Sequence, residues 1–309
     1  RKTLLTYWNT ISFHTLYAQS SNFDISQIPA VKDRSMMDHW ILSELNTLIQ
    51  EVDTAYADFD SQAGKALARF IDDLSNWYVR RSRRRFWDGD VAALGTLHEC
   101  LVTLTQLLSP MVPFITEHVW QEVVRAADST AADSVHLTDF PVADRALINL
   151  ELNNQVAMTR RVVELGRAAR AESAIKIRHP LQRALISAAG WAKLPTDMKD
   201  QIADELNVLA LADIAAADGD LVNISIKANF KSLGAKYGKE VQDIAKAIAA
   251  TDATALVKTL RASGVTKVAT WDIELDDLVI TEVPKSGWMV ASHEGESVAL
   301  DLALSQALI

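Results

Sequence analysis

Residues 70–87 read FIDDLSNWYVRRSRRRFW, and this stretch decides how the first half of the chain is interpreted. Its apolar residues recur every three or four positions, as they do along one face of an α-helix. Five of the six residues from 80 to 85 are arginine. The stretch is therefore predicted to be an amphipathic helix whose end carries a dense positive charge.

The helical repeat divides the arginines into two groups. At about 100° per residue, Arg81 and Arg85 continue the apolar stripe, and we expect them to form ion pairs inside the fold. The remaining arginines point outward, together with the two tryptophans of the stretch. This outward group consists of Trp77, Arg80, Arg83, Arg84 and Trp87.

An outward face of arginine and tryptophan has two interpretations on pattern alone. Guanidinium groups suit phosphates, and indole rings stack on unpaired bases with about 1–3 kcal/mol per base, so the face is typical of contact with single-stranded RNA. Alternatively, the arginines complement the dipole at the helix end and the tryptophans belong to the core.

The regions on either side of this stretch predict the architecture. Helical spacing covers residues 2–18, 38–59, 61–86 and 94–108, and resumes after Pro113. Short connections favour antiparallel neighbours, so residues 1–145 are predicted to form an antiparallel helix bundle.

Beyond residue 145 the pattern changes to a mixture of strands and helices. Alternating residues predict strands near 222–226 and 269–275, and Glu294-Gly295 predicts a hairpin between residues 288–293 and 297–302. Residues 146–309 are therefore predicted to form a small mixed α/β domain, which makes the chain a multidomain α and α/β protein.

Composition excludes several classes of protein. The 309 residues carry 31 basic and 40 acidic side chains, a net charge of −9, which argues against a non-specific DNA-coating role. The single cysteine, Cys100, excludes an internal disulfide framework and a multi-cysteine zinc site, and it favours a reducing compartment. The N-terminus shows no signal-peptide core, and we find no apolar run of the length that crosses a membrane.

Residues 70–87 closely resemble the anticodon-binding helical domain of isoleucyl-tRNA synthetase, a class I aminoacyl-tRNA synthetase. Further segments resemble the same family in the same order, so the similarity extends over nearly the whole chain. These segments are Trp8–Thr10, Gly166–Leu181, Asp204–Val208, Lys227–Gly234 and Val298–Leu302. The family's His-Ile-Gly-His-like and Lys-Met-Ser-Lys-Ser-like catalytic motifs do not occur, so the chain looks like a C-terminal fragment that begins after the catalytic domain.

The resemblance implies a function for the chain within a larger enzyme. The full-length enzyme would attach isoleucine to its tRNA using ATP and Mg²⁺, whereas this fragment would have no catalytic residue, metal site or cofactor of its own. It would bind the anticodon stem-loop of isoleucine tRNA, without DNA or a membrane, as a cytoplasmic monomer. The expected tRNA contacts are Trp77, Arg80, Arg83, Arg84 and Trp87, with Lys65 ahead of them, and Arg167, Arg170, Lys176, Arg178 and His179 in the second domain.

Two alternatives stay open at this point. The basic cluster of the second domain is also compatible with an ordinary solvated surface. The outward arginines are also compatible with a helical protein-interaction module that binds an acidic partner. A stand-alone enzyme is disfavoured, because no convergent set of nucleophile, base or metal ligands is evident in the sequence.

Overall fold

The computed structural model describes residues 1–214, 222–284, 287–293 and 295–303. The chain forms two compact units, Arg1–Val156 and Ala157–Ile309. The division between them falls inside a long helix, whereas the sequence placed it at residue 145. A helix bundle followed by a small α/β unit confirms the predicted fold class.

The first unit is a bundle of α-helices, and most of their bounds follow the predicted periodicity, except that the helix predicted over residues 61–86 is divided. The helices are α1 (Lys2–Ser20), α2 (Met36–Ala57), α3 (Gln62–Asp73), α4 (Arg83–Trp87), α5 (Val91–Leu108) and α6 (Pro113–Val119). Wide π-helical turns follow α3 at Leu74–Val79 and α6 at Trp120–Arg125.

Side-chain pairs fix the directions of the helices. The Tyr7 hydroxyl lies 2.6 Å from the Thr105 hydroxyl, and the rings of His14 and His98 lie 5.4 Å apart. A later residue on α1 therefore contacts an earlier residue on α5, so these helices are antiparallel. The Tyr56 hydroxyl donates to the Leu107 carbonyl over 2.8 Å, so the ends of α2 and α5 lie together.

Helix α5 lies in the core of the bundle. Leu94, Leu97, Leu101 and Leu104 are almost completely buried. By length and composition alone, Val91–Leu108 is apolar enough to cross a membrane, which differs from our expectation for the sequence. In the structure 67% of it is buried inside the protein, and the core helix of a soluble protein meets the same criterion.

Acidic side chains define where two of the bundle helices begin. Ser35 and Asp38 form a capping box at the start of α2, in which each side chain binds the other residue's backbone N–H. The Asp90 carboxylate accepts hydrogen bonds from the backbone of Ala92 and Ala93 at the start of α5. These caps satisfy N–H groups that have no partner within the helix.

The second unit contains strands and shorter helices. Helix α7 (Leu150–Glu172) leads into it from the first unit. The helices that follow are α8 (Thr196–Leu206), α9 (Phe230–Tyr237), α10 (Val241–Ala249) and α11 (Ala253–Ser263). The strands are β1 (Leu181–Ser187), β2 (Val208–Asp213), β3 (Val222–Ala228), β4 (Val265–Val268), β5 (Trp271–Glu274), β6 (Leu278–Pro284), β7 (Trp288–His293) and β8 (Glu296–Asp301).

One four-stranded sheet and two strand pairs organise the described part of this unit. The sheet has the order β2-β1-β8-β7, with β1 parallel to β2 and antiparallel to β8. Strands β7 and β8 pair directly, which confirms the predicted hairpin. Strand β3 pairs with β6 and β4 pairs with β5, and α9, α10 and α11 pack with these pairs around a core that includes Leu233, Ile244 and Leu260.

Two helical glycines test how the helices of the first unit pack. A Cβ at Gly95 in α5 would lie 2.6 Å from the Ile28 side chain, whereas a Cβ at Gly64 in α3 meets nothing within 4 Å. We expect Gly64→Ala to stabilise the chain by about 0.5–1 kcal/mol because alanine favours the helix. Gly95→Ala is expected to destabilise it by about 1 kcal/mol or more, because Ile28 must move.

Urea unfolding of each variant, followed by circular dichroism, measures both effects. Equal stabilisation by the two substitutions would show that Ile28 does not pack against α5 as the structure has it.

Candidate nucleic-acid interface

The arginine run begins in a helix that is interrupted, not continuous as predicted. The wide turn Leu74–Val79 separates α3 from α4, and the buried Ser82 lies between that turn and α4. A π-helical turn holds more residues than an α-helical turn, so the side chains that follow it deviate from the simple 100° repeat.

Most of the predicted outward group lies on the surface. Arg80, Arg83 and Arg84 are exposed, and the Arg84 side chain is 94% exposed. Its ion pair with Asp88 is long, at 3.9 Å, and both partners are exposed, so the pair holds Arg84 weakly. Trp87 is 77% exposed, which is unusual for so large an apolar side chain. We call Arg80, Arg83, Arg84 and Trp87 the arginine ridge.

Trp77 does not belong to the ridge, and the prediction that it stacks on a base is wrong. It is only 6% exposed, and its neighbours Tyr78 and Val79 are buried as well. Three consecutive buried residues point to different sides of the helix, so other parts of the protein pack against more than one side of it. The reason is that the wide turn packs against both α1 and α2.

Arg85 points inward, as predicted, and joins three helices. Its guanidinium donates two hydrogen bonds to the Asp38 carboxylate, each of 2.8 Å, and one to Asp90 over 2.7 Å. The Tyr78 hydroxyl donates to the same Asp38 carboxylate over 2.6 Å. Because Asp38 lies in the first turn of α2 and Asp90 is the N-cap of α5, the pairing fixes α4 against both helix starts. We call Asp38, Arg85 and Asp90 the buried ion-pair cluster.

The environment keeps the Asp38 carboxylate ionised. Burial alone would raise the pKa of Asp38, but the hydrogen bonds from Arg85 and Tyr78 outweigh it, so the pKa lies below its usual value. The residue is 0% exposed. Sequence reasoning did not identify Asp38. The Ser35-x-x-Asp38 spacing could have identified a helix start, but not the partner 47 residues away.

Lys65 lies away from the arginine ridge. It lines a groove between α2 and α3 together with the acidic residues Glu51, Asp58 and Asp60. The structure therefore does not bring Lys65 together with Arg83, Arg84 and Trp87.

In the second unit, Arg170 is a structural residue and not the surface contact that the sequence suggested. It is 2% exposed, and its guanidinium donates to four backbone carbonyls at distances of 2.5–3.1 Å. These carbonyls belong to Lys176, His179, Leu206 and Asn207. Burial lowers the pKa of Arg170, but arginine still carries its charge at neutral pH.

Arg170 thereby shapes a loop that presents three of the predicted residues. The side chains of Lys176, Arg178 and His179 are all exposed on this loop. Arg167 is half-buried and forms an ion pair with Glu205 on α8. The structure thus supports a small basic loop at 176–179, with Arg167 held to one side.

No metal centre accompanies these surfaces in the part of the chain that the structure describes. Within residues 1–214, 222–284, 287–293 and 295–303 there is no group of three histidine, cysteine, aspartate or glutamate side chains that could hold a metal ion. Cys100 is fully buried, and burial raises the pKa of its thiol.

Comparison with known proteins identifies the class of the first unit. Residues 38–185 match the family model described as the anticodon-binding domain of tRNA ligase. The match includes the arginine ridge and the buried ion-pair cluster. The bundle is therefore an anticodon-binding domain of the kind found in tRNA ligases.

Curated relatives identify the family more closely. The chain is 52% identical to the isoleucine–tRNA ligase of Streptomyces coelicolor and 50% identical to that of Thermobifida fusca, in each case over 100% of this chain and 30% of the relative. It is 36% identical to the isoleucine–tRNA ligase of Cytophaga hutchinsonii, over 98% of this chain and 28% of the relative. The chain belongs to the isoleucine–tRNA ligase family, and it spans less than a third of the length of these relatives.

The two tryptophans of the run should respond differently to removal. Trp77→Ala is expected to lower the free energy of unfolding by about 3–5 kcal/mol, because it empties a buried site. Trp87→Ala should change it by less than about 0.5 kcal/mol, because the side chain is exposed. Urea unfolding of both variants measures the difference, and a stable Trp77→Ala variant would place Trp77 outside the core.

The buried ion-pair cluster should make stability depend on pH. We expect Asp38→Asn to lower the free energy of unfolding at pH 7 by about 1–3 kcal/mol, because the partly buried Arg85 loses its main partner and keeps only Asp90. The folded-state pKa of Asp38 is lowered, so its contribution is present above the ordinary carboxyl pKa and is lost as pH falls through the folded value. The difference between the two proteins should therefore shrink in acid.

Asp88→Asn is the matched control, since Asp88 pairs with Arg84 at the surface. It should change stability by less than about 0.5 kcal/mol at any pH. Unfolding curves of all three proteins between pH 7 and acid provide the measurement, and a pH-independent effect of Asp38→Asn would contradict the assignment.

Proposed function

We propose that this chain binds the anticodon stem-loop of isoleucine tRNA, as the anticodon-binding part of a full-length isoleucine–tRNA ligase. The observation that carries the proposal is the arginine ridge, in which exposed guanidinium groups lie beside the exposed indole of Trp87. Arginine contacts to phosphate set the register of an RNA, and an aromatic ring stacks on a base that is not paired.

The charge of the chain supports a local contact. With a net charge of −9, most of the surface disfavours a polyanion, so binding depends on the few places where positive charge is concentrated. The ridge offers such a place in the bundle. The exposed Lys176, Arg178 and His179 offer another in the second unit, and we propose them as additional tRNA contacts.

The full-length ligase would form isoleucyl-adenylate and then transfer isoleucine to the tRNA. ATP and Mg²⁺ would be bound by the part of the enzyme outside this chain. The His-Ile-Gly-His-like and Lys-Met-Ser-Lys-Ser-like motifs do not occur in the 309 residues, which supports a role in binding and not in catalysis. We further propose that the enzyme acts in the cytoplasm as a monomer.

Titration of a fluorescent anticodon stem-loop with the 309-residue chain tests the proposal. Arg84→Ala should weaken binding and make the log–log salt slope shallower by about 0.7, the value for one single-strand phosphate contact. Trp87→Ala should weaken binding by about 1–3 kcal/mol, the usual value of one stacked base. Arg69→Ala is the control, since Arg69 pairs with Glu51 in the α2–α3 groove, away from the ridge.

Two results would contradict the proposal. Equal binding of an unrelated stem-loop, with no effect of Arg84→Ala on either RNA, would remove the ridge from tRNA recognition. Binding of a glutamate-rich polypeptide that depends on Arg84, without binding of RNA, would favour an acidic protein partner instead.

A further inference from the structure

A cleft lies beside the last two turns of α1, and the function proposed above makes no use of it. Its volume is about 320 Å³. Small-molecule sites typically enclose roughly 300–1,000 Å³, so the cleft can hold a molecule of one or two rings. One wall comes from residues 14–23 and the other from residues 122–127. We call the space between these two segments the α1 cleft.

The first wall follows from the way in which α1 ends. Asn22 has a φ of +51°, in the left-handed region that asparagine occupies more readily than most residues. The backbone N–H of Phe23 donates to the Ala18 carbonyl over 2.9 Å. That of Asn22 donates to the Gln19 carbonyl over 3.3 Å. This is a Schellman motif, which turns the chain back over the helix end. It brings the rings of Phe23 and His14 to a centroid distance of 5.9 Å.

Small side chains keep the second wall open. The π-helical turn Trp120–Arg125 widens the helix, and turns of this kind are frequent at functional sites. The turn contributes Glu122 and Val123 to the lining, and Ala126 and Ala127 follow. Two alanines leave space that longer side chains would fill, so a cavity with largely apolar walls remains.

The most buried residue of the lining is a histidine whose ring nitrogens are not satisfied. His14 is 3% exposed, and neither ring nitrogen has a hydrogen-bond partner among the residues that the structure describes. Burial and the neighbouring His98 lower the pKa of His14 to about 3, and the Leu94 carbonyl opposes this shift without the geometry of a hydrogen bond. The neutral imidazole offers one donor and one acceptor. Because unpartnered buried polar atoms are costly, a ligand that supplies a partner is favoured.

A carboxylate lies at the open side of the cleft. Glu122 is exposed, and its carboxylate forms no hydrogen bond or ion pair within the described part of the chain. Among the described residues that line the cleft, Glu122 carries the only charge. A negative charge beside apolar walls attracts a cation with an apolar body and repels phosphates.

We propose that the α1 cleft binds a small aromatic amine in its protonated form. The aromatic body packs against Phe23 and Val123, the ammonium group pairs with Glu122, and a polar atom of the ring bonds to His14. This site is independent of tRNA binding by the arginine ridge.

Saturation-transfer NMR of the 309-residue chain with tryptamine tests the proposal. Tryptamine carries an indole ring and an ammonium group, and tryptophol carries a hydroxyl in place of the amine. Tryptamine should bind with a Kd of about 1 mM, as expected for a ligand of its size. Tryptophol should bind about five- to tenfold more weakly, because it cannot form the charged hydrogen bond to Glu122.

Three variants divide the interaction into its parts. Glu122→Gln should remove the preference for tryptamine over tryptophol. Ala126→Trp should abolish binding of both probes, because its indole fills the cleft. Both positions are exposed, so we expect both variants to fold. His14→Phe keeps a ring in the core without a ring nitrogen, and it should weaken tryptamine binding about tenfold.

Asp53→Asn is the matched control for Glu122→Gln. Asp53 is an exposed carboxylate on α2 outside the cleft, so both affinities should stay unchanged. Equal affinities of the two probes for the unchanged chain, or unchanged binding in Ala126→Trp, would overturn the proposal. Displacement of tryptamine by the anticodon stem-loop would identify an RNA base as the occupant. The ridge is tested separately by Arg84→Ala, so failure of one proposal can be distinguished from failure of the other.

Discussion

The buried ion pair between Asp38 and Arg85 is the interaction on which the bundle's surface chemistry depends. Asp38 both completes the capping box of α2 with Ser35 and is the main partner of Arg85. Asp90 caps α5 with one carboxylate oxygen and binds Arg85 with the other. One arginine in a run of five is thus fixed between two helix starts. A buried charge pair gains its stability from complete hydrogen bonding, and Tyr78 and Ser35 supply the remaining contacts.

The fixed position of Arg85 influences which neighbouring side chains lie at the surface. In a helical segment, residues one and two positions away from a buried side chain point to other sides. The anchoring of Arg85 and the burial of Phe86 together orient α4, so that Arg83, Arg84 and Trp87 lie at the surface. The Arg84 pair with Asp88 is long and exposed, so its loss on binding would cost little.

Much of this arrangement could be predicted from local sequence pattern. The spacing of leucines predicted α5, and the turn at Glu294-Gly295 predicted the pairing of β7 with β8. The inward direction of Arg85 agrees with the helical repeat, although the wide turn at Leu74–Val79 precedes it. These features are local, because each depends on residues within one or two turns of helix or one hairpin.

The incorrect predictions concern features that local pattern does not encode. A regular helix places Trp77 at the surface, whereas Trp77 is buried in a wide turn that packs against two helices. The charge of Arg170 favours a contact with tRNA, whereas in the structure its guanidinium donates to four backbone carbonyls from two segments. The pairing of β1 with β8 joins Ala184 to Leu300, more than a hundred residues apart. Such contacts depend on the tertiary fold, and the residues alone do not indicate them.

The use of arginine at position 170 has a consequence for the loop that it shapes. A lysine or histidine in this buried place could lose its proton, and the carbonyls would then lose their donor. A guanidinium retains its charge under any condition that a cell tolerates. The backbone around Lys176 and His179, whose carbonyls accept hydrogen bonds from this guanidinium, is thus insensitive to acidification.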